Sequence, residues 1–257
     1  WISMFHRCYN EKIHKNQSTY KDCTVDERWH NFQNFAKWMN KQNYKLVQIW
    51  SSEWNYKKDI VKSRINQILG NSNRIFARKG TIESISSEKT KQFLNNNHIQ
   101  GSVNSSINYG LFYENELVSI MTFSKNRYGT INTEYELLRF CNKLNTTIVG
   151  GASKLFSTFI KEYNPKTIVS YSDKRWNSGN LYTNLGFKFS HDSSPNFFYF
   201  KLNDNTEKLF SRHQFQKHKL SKKLENYNPN ISAWQNMQNH GYDRIWDCGN
   251  KVFVYNS

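Results

Sequence analysis

Proline and glycine are scarce, 3 and 11 in 257 residues. That excludes a collagen-like chain or a flexible linker array. Cysteine is scarcer still. Cys8, Cys23, Cys141 and Cys248 are widely spaced and form no Cys-x-x-Cys pair. A disulfide framework or a zinc ribbon is not expected, and a reducing cytoplasm fits best. Cys8 and Cys23 with His6, His14 and His30 match no standard metal-ligand spacing. No apolar run approaches about 18 residues, so no helical membrane span is expected. A signal-peptide pattern is missing too. The chain opens on Trp1, and its true start is expected upstream.

Acidic residues are also short, 20 against 36 Lys and Arg, a net charge of +16. Such an excess suits a polyanionic partner. AT-rich coding offers a plainer source, since Asn occurs 34 times. Coding bias does not place the charge, however. Residues 1–79 carry +9, 80–202 carry +4 and 203–257 carry +3.

What the chain has in quantity is aromatic residues: 8 Trp, 15 Tyr and 18 Phe. Disorder is incompatible with that load. The length suits two domains at roughly 100–150 residues each.

Three segments differ in character: 1–42, 43–79 and 80–257. In the first, Trp29, Phe32, Phe35, Ala36, Trp38 and Met39 recur at helical spacing, with Asp26 as N-cap. A small core explains most of these aromatics. In the second, residues 45–50 read as a buried strand and Glu53 to Gly70 as one basic helix. Ile60, Val61, Ile65, Ile68 and Leu69 form its apolar side; Lys57, Lys58, Lys62 and Arg64 crowd it. Residues 74–85 read as a strand carrying Arg74, Arg78 and Lys79.

The third segment reads as α+β. Residues 81–86 form a strand. Ser86 or Ser87 caps a helix that Gly101 closes. Residues 107–125 form a hairpin with Glu114 and Asn115 at its turn. A strand over 134–144 leads to the Gly150–Gly151 turn and an amphipathic helix presenting Leu155, Phe156, Phe159 and Ile160. A buried strand over 166–173 follows, then a short helix ending at Gly186 and a strand. Residues 196–202 close the sheet. Residues 242–257 read as a terminal hairpin turning at Cys248-Gly249-Asn250. Between them, Arg212, His213, Phe215, Lys217, His218 and Lys219 mix bases with an aromatic, as a nucleic-acid contact or a packed helix would.

Several stretches resemble known families. Trp1, Met4, Arg7-Cys8-Tyr9, then Tyr20, Cys23 and Val25 as a strand, then Trp29, Phe32, Asn34-Phe35 and Trp38 resemble the N-terminal DNA-binding region of phage HNH-type homing endonucleases. The His-Asn-His nuclease of that family does not follow. Trp50-Ser51-Ser52-Glu53-Trp54 and the basic helix resemble the tail of very-short-patch-repair-type endonucleases. Their metal-binding carboxylates are reduced here to Glu53, so this segment is expected to be a remnant or a DNA-contacting platform.

The third segment resembles the GNAT acyltransferase superfamily. Thr147-Ile148-Val149-Gly150-Gly151-Ala152 is similar to its phosphate-binding loop, with Thr147 where Gln or Arg is usual. Asn180 to Phe187 is similar to its later Asn-to-Gly-Phe segment. The likeness implies cofactor contacts from Thr147, Gly150, Gly151, Ala152 and Asn180. It also implies a mixed sheet flanked by helices and binding of acetyl-CoA or a related acyl-CoA. A closer likeness is to the Mom family of phage DNA-modification proteins, carried by Asn97-His98, Glu136 to Arg139, Ser153, Ser170 to Asp173, Gly179 and Tyr182. It implies that His98, Arg139, Ser153, Asp173 and Tyr182 line a site. Asp173 or His98 would take a proton from an amine, and Tyr182 would protonate a leaving thiolate. The plain alternatives are that His98 satisfies a helix end, that Arg139 and Asp173 form an ion pair, and that Tyr182 packs.

Three functions follow. The first is a phage-type, homing-endonuclease-like protein acting on double-stranded DNA, needing Mg²⁺ if it is a nuclease. The second is a Mom-like DNA-modifying enzyme. The third is a non-catalytic DNA-binding protein left from a mobile element. All three expect salt-sensitive DNA contact through Arg7, Trp29, Lys57, Lys58, Lys62, Arg64, Arg78, Lys79, Arg212, Lys217 and Lys219, in a bacterial host cytoplasm.

Overall fold

The computed structural model describes residues 8–16, 19, 21–30, 32–42, 44, 47–126, 133–176, 178–202 and 208–257. The chain divides into two compact units, Trp1–Gln48 and Ile49–Ser257.

The first unit holds α1 (Glu11–Asn16), a 3-10 turn at Glu27–Trp29 and α2 (Phe32–Lys41). Asp26 caps the turn rather than the longer helix, accepting from the Arg28 N–H at 2.9 Å. Residues 23–26 form no ladder, so the expected strand through Val25 is absent. Val25 is buried, and its N–H donates to the Tyr9 hydroxyl at 2.9 Å. A side-chain bond takes the place of a strand partner. Trp1, Met4 and Arg7 lie outside the described residues, as does the Trp29 side chain.

The second unit opens on α3 (Ser51–Tyr56) and α4 (Lys58–Ile68). The single basic helix is thus two. Lys57 breaks them at φ −134°, ψ 35°, outside helical values. Ile60 and Val61 are buried, while Ile68 and Leu69 are exposed, so the apolar side is shorter than expected. Residues 47–50 form no strand; Trp50 instead caps α3, its N–H donating to Glu53 at 3.1 Å. The basic strand is likewise broken. It becomes β1 (Asn73–Phe76), a 3-10 turn at Ala77–Lys79 and β2 (Thr81–Ser84).

Then come α5 (Ser87–Asn97), β3 (Ile107–Tyr113), β4 (Glu116–Lys125), β5 (Tyr135–Asn142), β6 (Thr146–Val149), α6 (Gly151–Tyr163) and β7 (Thr167–Asp173). Ser86 caps α5 as expected, but the helix ends at Asn97, well before Gly101. Glu114 and Asn115 both take positive φ, 51° and 61°, as a two-residue hairpin turn requires. After α7 (Asn180–Asn184), β8 (Lys188–Asp192) and β9 (Phe197–Lys201) come β10 (Phe210–Ser211), α8 (Lys217–Leu220), α9 (Ala233–Asn239), β11 (Tyr242–Trp246) and β12 (Asn250–Asn256).

Seven strands form the main sheet in the order β2-β3-β4-β5-β7-β12-β8. Only β5 and β7 run parallel; every other neighbouring pair is antiparallel. The α+β class with a mixed sheet flanked by helices is what the sequence led us to expect. β1 pairs with β6 in a separate parallel ribbon, and β10-β9-β11 form a third sheet.

Two strands go elsewhere than expected. β9 does not close the main sheet; it centres the three-stranded one. β11 and β12 are not a hairpin. β11 pairs with β9, and β12 pairs with β7 and β8. Asp247 makes the switch: its Oδ1 accepts from the N–H groups of Asn196 at 2.7 Å and Gly249 at 2.9 Å. Gly249 has φ +72°, and a Cβ there would meet Ser193 O at 2.5 Å. The chain is thereby turned from one sheet into the other.

The main core lies between the sheet and α6. Phe123 and Phe159 stack with centroids 3.8 Å apart, and Phe156 packs on Phe187 and Tyr255. A smaller cluster on the opposite face joins Phe93 and Leu94 of α5 to Ile120 and Cys141.

Candidate functional site

β5 and β7 pair over only three positions: Tyr135 with Ile168, Glu136 with Val169, and Leu137 with Ser170. The Ser170 hydroxyl donates to Leu137 O at 2.8 Å and marks the last link. Beyond it, β5 stays with β4 and β7 stays with β12. The sheet therefore forks toward the carboxyl ends of both strands. Those ends are where sheet proteins gather reactive groups.

α6 starts at this end of the sheet, because β5 and β6 lead directly into it. Gly150 is its N-cap at φ +77°, a left-handed value suited to glycine. A Cβ on Gly151 would meet the Ile148 side chain at 2.7 Å, so this glycine is a packing requirement. The first backbone N–H groups of α6 have no intrahelical acceptor and can face an anion. Ser153 is exposed on that first turn. The Thr147 hydroxyl bonds Ser72 at 2.6 Å, so it is engaged by β1's approach segment. Asn180 opens α7 and is exposed.

Tyr182 lies at the fork. Its hydroxyl donates to Tyr171 O at 3.2 Å, the first residue of β7 past the paired stretch. Burial raises its pKa, opposed in part by the Ser170 hydrogen bond and the Arg139 charge. The phenol therefore stays protonated at neutral pH.

A bulge in β5 aims Arg139. Thr122 faces Arg139 and Phe123 faces Leu137, which leaves Leu138 extra. The bulge puts Arg139 on the α5 side, where its Nε donates to Gly101 O at 3.4 Å. Lys57 reaches the same loop from between α3 and α4, donating to Ile99 O at 2.5 Å. His98 begins this loop as the C-cap of α5, its N–H donating to Leu94 O at 2.8 Å. Its Nδ1 accepts from the Gln100 N–H at 3.2 Å. Burial, then Arg139, Arg64 and Lys57, push the imidazole pKa well below its usual 6.5. His98 is thus neutral, and the bond at Nδ1 assigns its proton to Nε2.

Asp173 does not meet Arg139. Both of its oxygens are taken by Arg175: Oδ2 accepts from Nη2 at 2.9 Å and Nε at 3.2 Å, and Oδ1 accepts from the Arg175 backbone N–H at 2.9 Å. The expected Arg139–Asp173 pair is replaced because Arg175, two residues along, closes the shorter loop. The other side of Arg175 meets Glu53 at 3.0 Å and lies 4.0 Å over the Trp50 ring. Burial works against the Arg175 charge, but the hydrogen bond and charge of Asp173, then of Glu53, outweigh it and raise its pKa. Glu53 is therefore an internal tie between α3 and the end of β7. Arg64 stacks 4.7 Å from the Trp176 centroid, with its Nε buried and without a hydrogen-bond partner. Its pKa is lowered, chiefly by burial.

The structure thus gathers His98, Arg139 and Tyr182 with Lys57 and Arg64. It leaves Ser153, Asn180 and Thr147 on the α6 and α7 side. Of the other basic residues singled out, Lys58, Lys62, Arg78, Lys79, Arg212 and Lys217 are exposed, while Lys219 donates to His213 O at 2.9 Å. Sequence reasoning missed Arg175 and Trp176, and read Trp50 only as part of an endonuclease-like run. The Asp-Lys-Arg-Trp run at the end of a buried strand was the available signal.

Among the described residues, no three His, Cys, Asp or Glu side chains gather as a metal site. No helix among them is long and apolar enough to cross a membrane.

No family model and no curated protein matches the chain. Solved structures similar to it include a Bacillus subtilis acetyltransferase in complex with CoA, at 14% identity and TM-score 0.38, covering 70% of this chain and 99% of that one. A GNAT-family acetyltransferase from Elizabethkingia anophelis with acetyl-CoA bound is similar at 13% identity and TM-score 0.37, covering 70% and 99%. A GNAT-family acetyltransferase from Bacillus cereus is similar at 12% and 0.37, covering 69% and 97%. Likenesses of this size carry no argument about chemistry, so what the site can do is read from its own residues.

Proposed function

We propose that this chain transfers an acyl group from an acyl-CoA thioester to an amine, and that the amine belongs to a base of double-stranded DNA. The observation that carries the reading is the Tyr182 hydroxyl, held protonated at the fork between β5 and β7. The residues suit such a donor. The free N–H groups after Gly150 would hold its phosphates, and the parted edges of β5 and β7 offer backbone donors and acceptors to its amide arm. The buried Ser172 hydroxyl on β7 lacks a hydrogen-bond partner and is one further polar group there. An acyl-CoA would supply the acyl group already activated as a thioester.

Tyr182 would donate its proton to the departing sulfur. Asp173 is committed to Arg175, and His98 has its Nδ1 lone pair engaged, so neither is a free base. The amine must then arrive uncharged and release its proton to water. Exocyclic amines of nucleobases are uncharged at neutral pH. The +16 charge supports a DNA acceptor.

A homing-type nuclease is supported less, because Glu53 is tied to Trp50 and Arg175. The test is an incubation with DNA and acetyl-CoA at low salt, read by nucleoside mass spectrometry, beside one with Mg²⁺ read by gel. A mass gain on one base, lost in Tyr182→Phe, is expected. Metal-dependent cleavage without a mass gain would overturn the reading.

A further inference from the structure

On the α5 side of the fork, Lys57, Arg64, Arg139 and His98 come from four different elements. Every polar hydrogen they present is a donor. Lys57 and both arginines cannot accept. His98 adds a donor, because Gln100 occupies Nδ1 and the proton sits on Nε2. The two carboxylates nearest the cluster, Glu53 and Asp173, are already bound to Arg175. Leaving Arg139 aside, Lys57, Arg64 and Arg175 still outnumber those two carboxylates. Arg64 is the sharpest case. Its guanidinium carbon sits over the ring of Trp176, which is 2% exposed, with Nε buried and unbonded. A cationic N–H buried this way without a partner is costly unless something else compensates it.

We propose that this cluster is a binding site for a phosphate-class oxyanion, with Arg64 and Lys57 as charge partners and His98 Nε2 as a neutral donor. A phosphate takes several convergent donors at once, and a planar guanidinium on an aromatic ring is well suited to it. The phosphate comes either from a DNA strand or from a free nucleotide. This inference stands whether or not the chain transfers an acyl group, since it needs only the anion.

His98 reports on the site. Arg139, Arg64 and Lys57 face its ring; Glu53 faces Lys57; Cys141, Asp173 and Arg175 face Arg64. An anion bound among these cations offsets them and raises the His98 titration midpoint. The experiment follows the imidazole Cε1–H signal by NMR in the full chain, assigned with His98→Gln. Inorganic phosphate should shift it saturably and move its midpoint upward. Lys57→Met should weaken that response at least tenfold while the remaining spectrum stays folded. Arg64→Met should abolish it. If Arg64→Met fails to fold, Lys57→Met decides alone. A short DNA duplex saturating at far lower concentration than a mononucleotide identifies the strand as the source, and equal saturation identifies the free nucleotide. No shift with any of the three probes, or the same shift with acetate as with phosphate, overturns the proposal.

Discussion

The two faces of the seven-stranded sheet are built on opposite principles. The α6 face is dry. Phe123, Phe156 and Phe159 stack there with Leu155 and Ile168, all 5% exposed or less. On the α5 face the apolar patch is small, and past Cys141 it gives way to Arg139, His98, Lys57, Arg64 and Arg175. Close-packed rings need no exact partner, only shape. Buried charges need named partners or they destabilise. The first face can therefore hold the fold, while the second is held by the fold and is free to carry chemistry.

The contrast breaks most visibly at Phe159. It is fully buried and touches the rings of Phe123, Tyr135 and Tyr163. Phe159→Ala removes the centre of the stack and should cost about 3–5 kcal/mol. Urea unfolding of the two proteins checks it. A loss below about 1 kcal/mol would mean that the dry face is not what holds the sheet.

Next comes Arg175, the one cation of the charged face with both carboxylates in hand. Arg175→Leu leaves the buried Glu53 and the partly buried Asp173 without their shared cation. The expected loss is about 3 kcal/mol, recovered in part when Glu53→Gln is added. Additive losses in the double variant would show that Glu53 and Arg175 do not act as a pair.

How much of this was legible in the sequence divides along the same line. The dry face was readable, because Leu155, Phe156, Phe159 and Ile160 recur at helical spacing and Glu114-Asn115 sits between alternating strands. Those signals are local. The route of the C-terminus was not readable. β11 and β12 flank a glycine turn and look like a hairpin, yet partner choice rests on Asp247 reaching Asn196, 51 residues away. The charged face was half legible. His98 and Arg139 stood out, but the basic residues of α4 read as a DNA-facing surface. Nothing in spacing alone says that Arg64 turns inward onto Trp176, or that Asp173 meets Arg175 rather than Arg139. Charge pairing at long range is decided by the fold, and a sequence pattern carries only its local half.

The smallest effect is the most specific. His98 has a folded-state pKa below 6.5, so the folded protein holds fewer protons than the unfolded chain as pH falls past that value. Folding is then disfavoured by acid. The loss begins as pH drops through about 6.5, grows until the folded-state pKa is reached, and is absent above neutrality. Its slope is at most about 1.4 kcal/mol per pH unit. His98→Gln keeps a polar group at the helix end and removes the titration. The stability difference between wild type and variant, measured by urea unfolding from pH 7.5 down to 5.5, should therefore shift steadily in favour of the variant. Raising the salt should shrink the part due to the half-buried Lys57 charge more than the part due to burial, since desolvation is not screened. A difference that stays flat across this range would place His98 in ordinary solvent, and the charged face would then be a hydrated surface rather than an interior site.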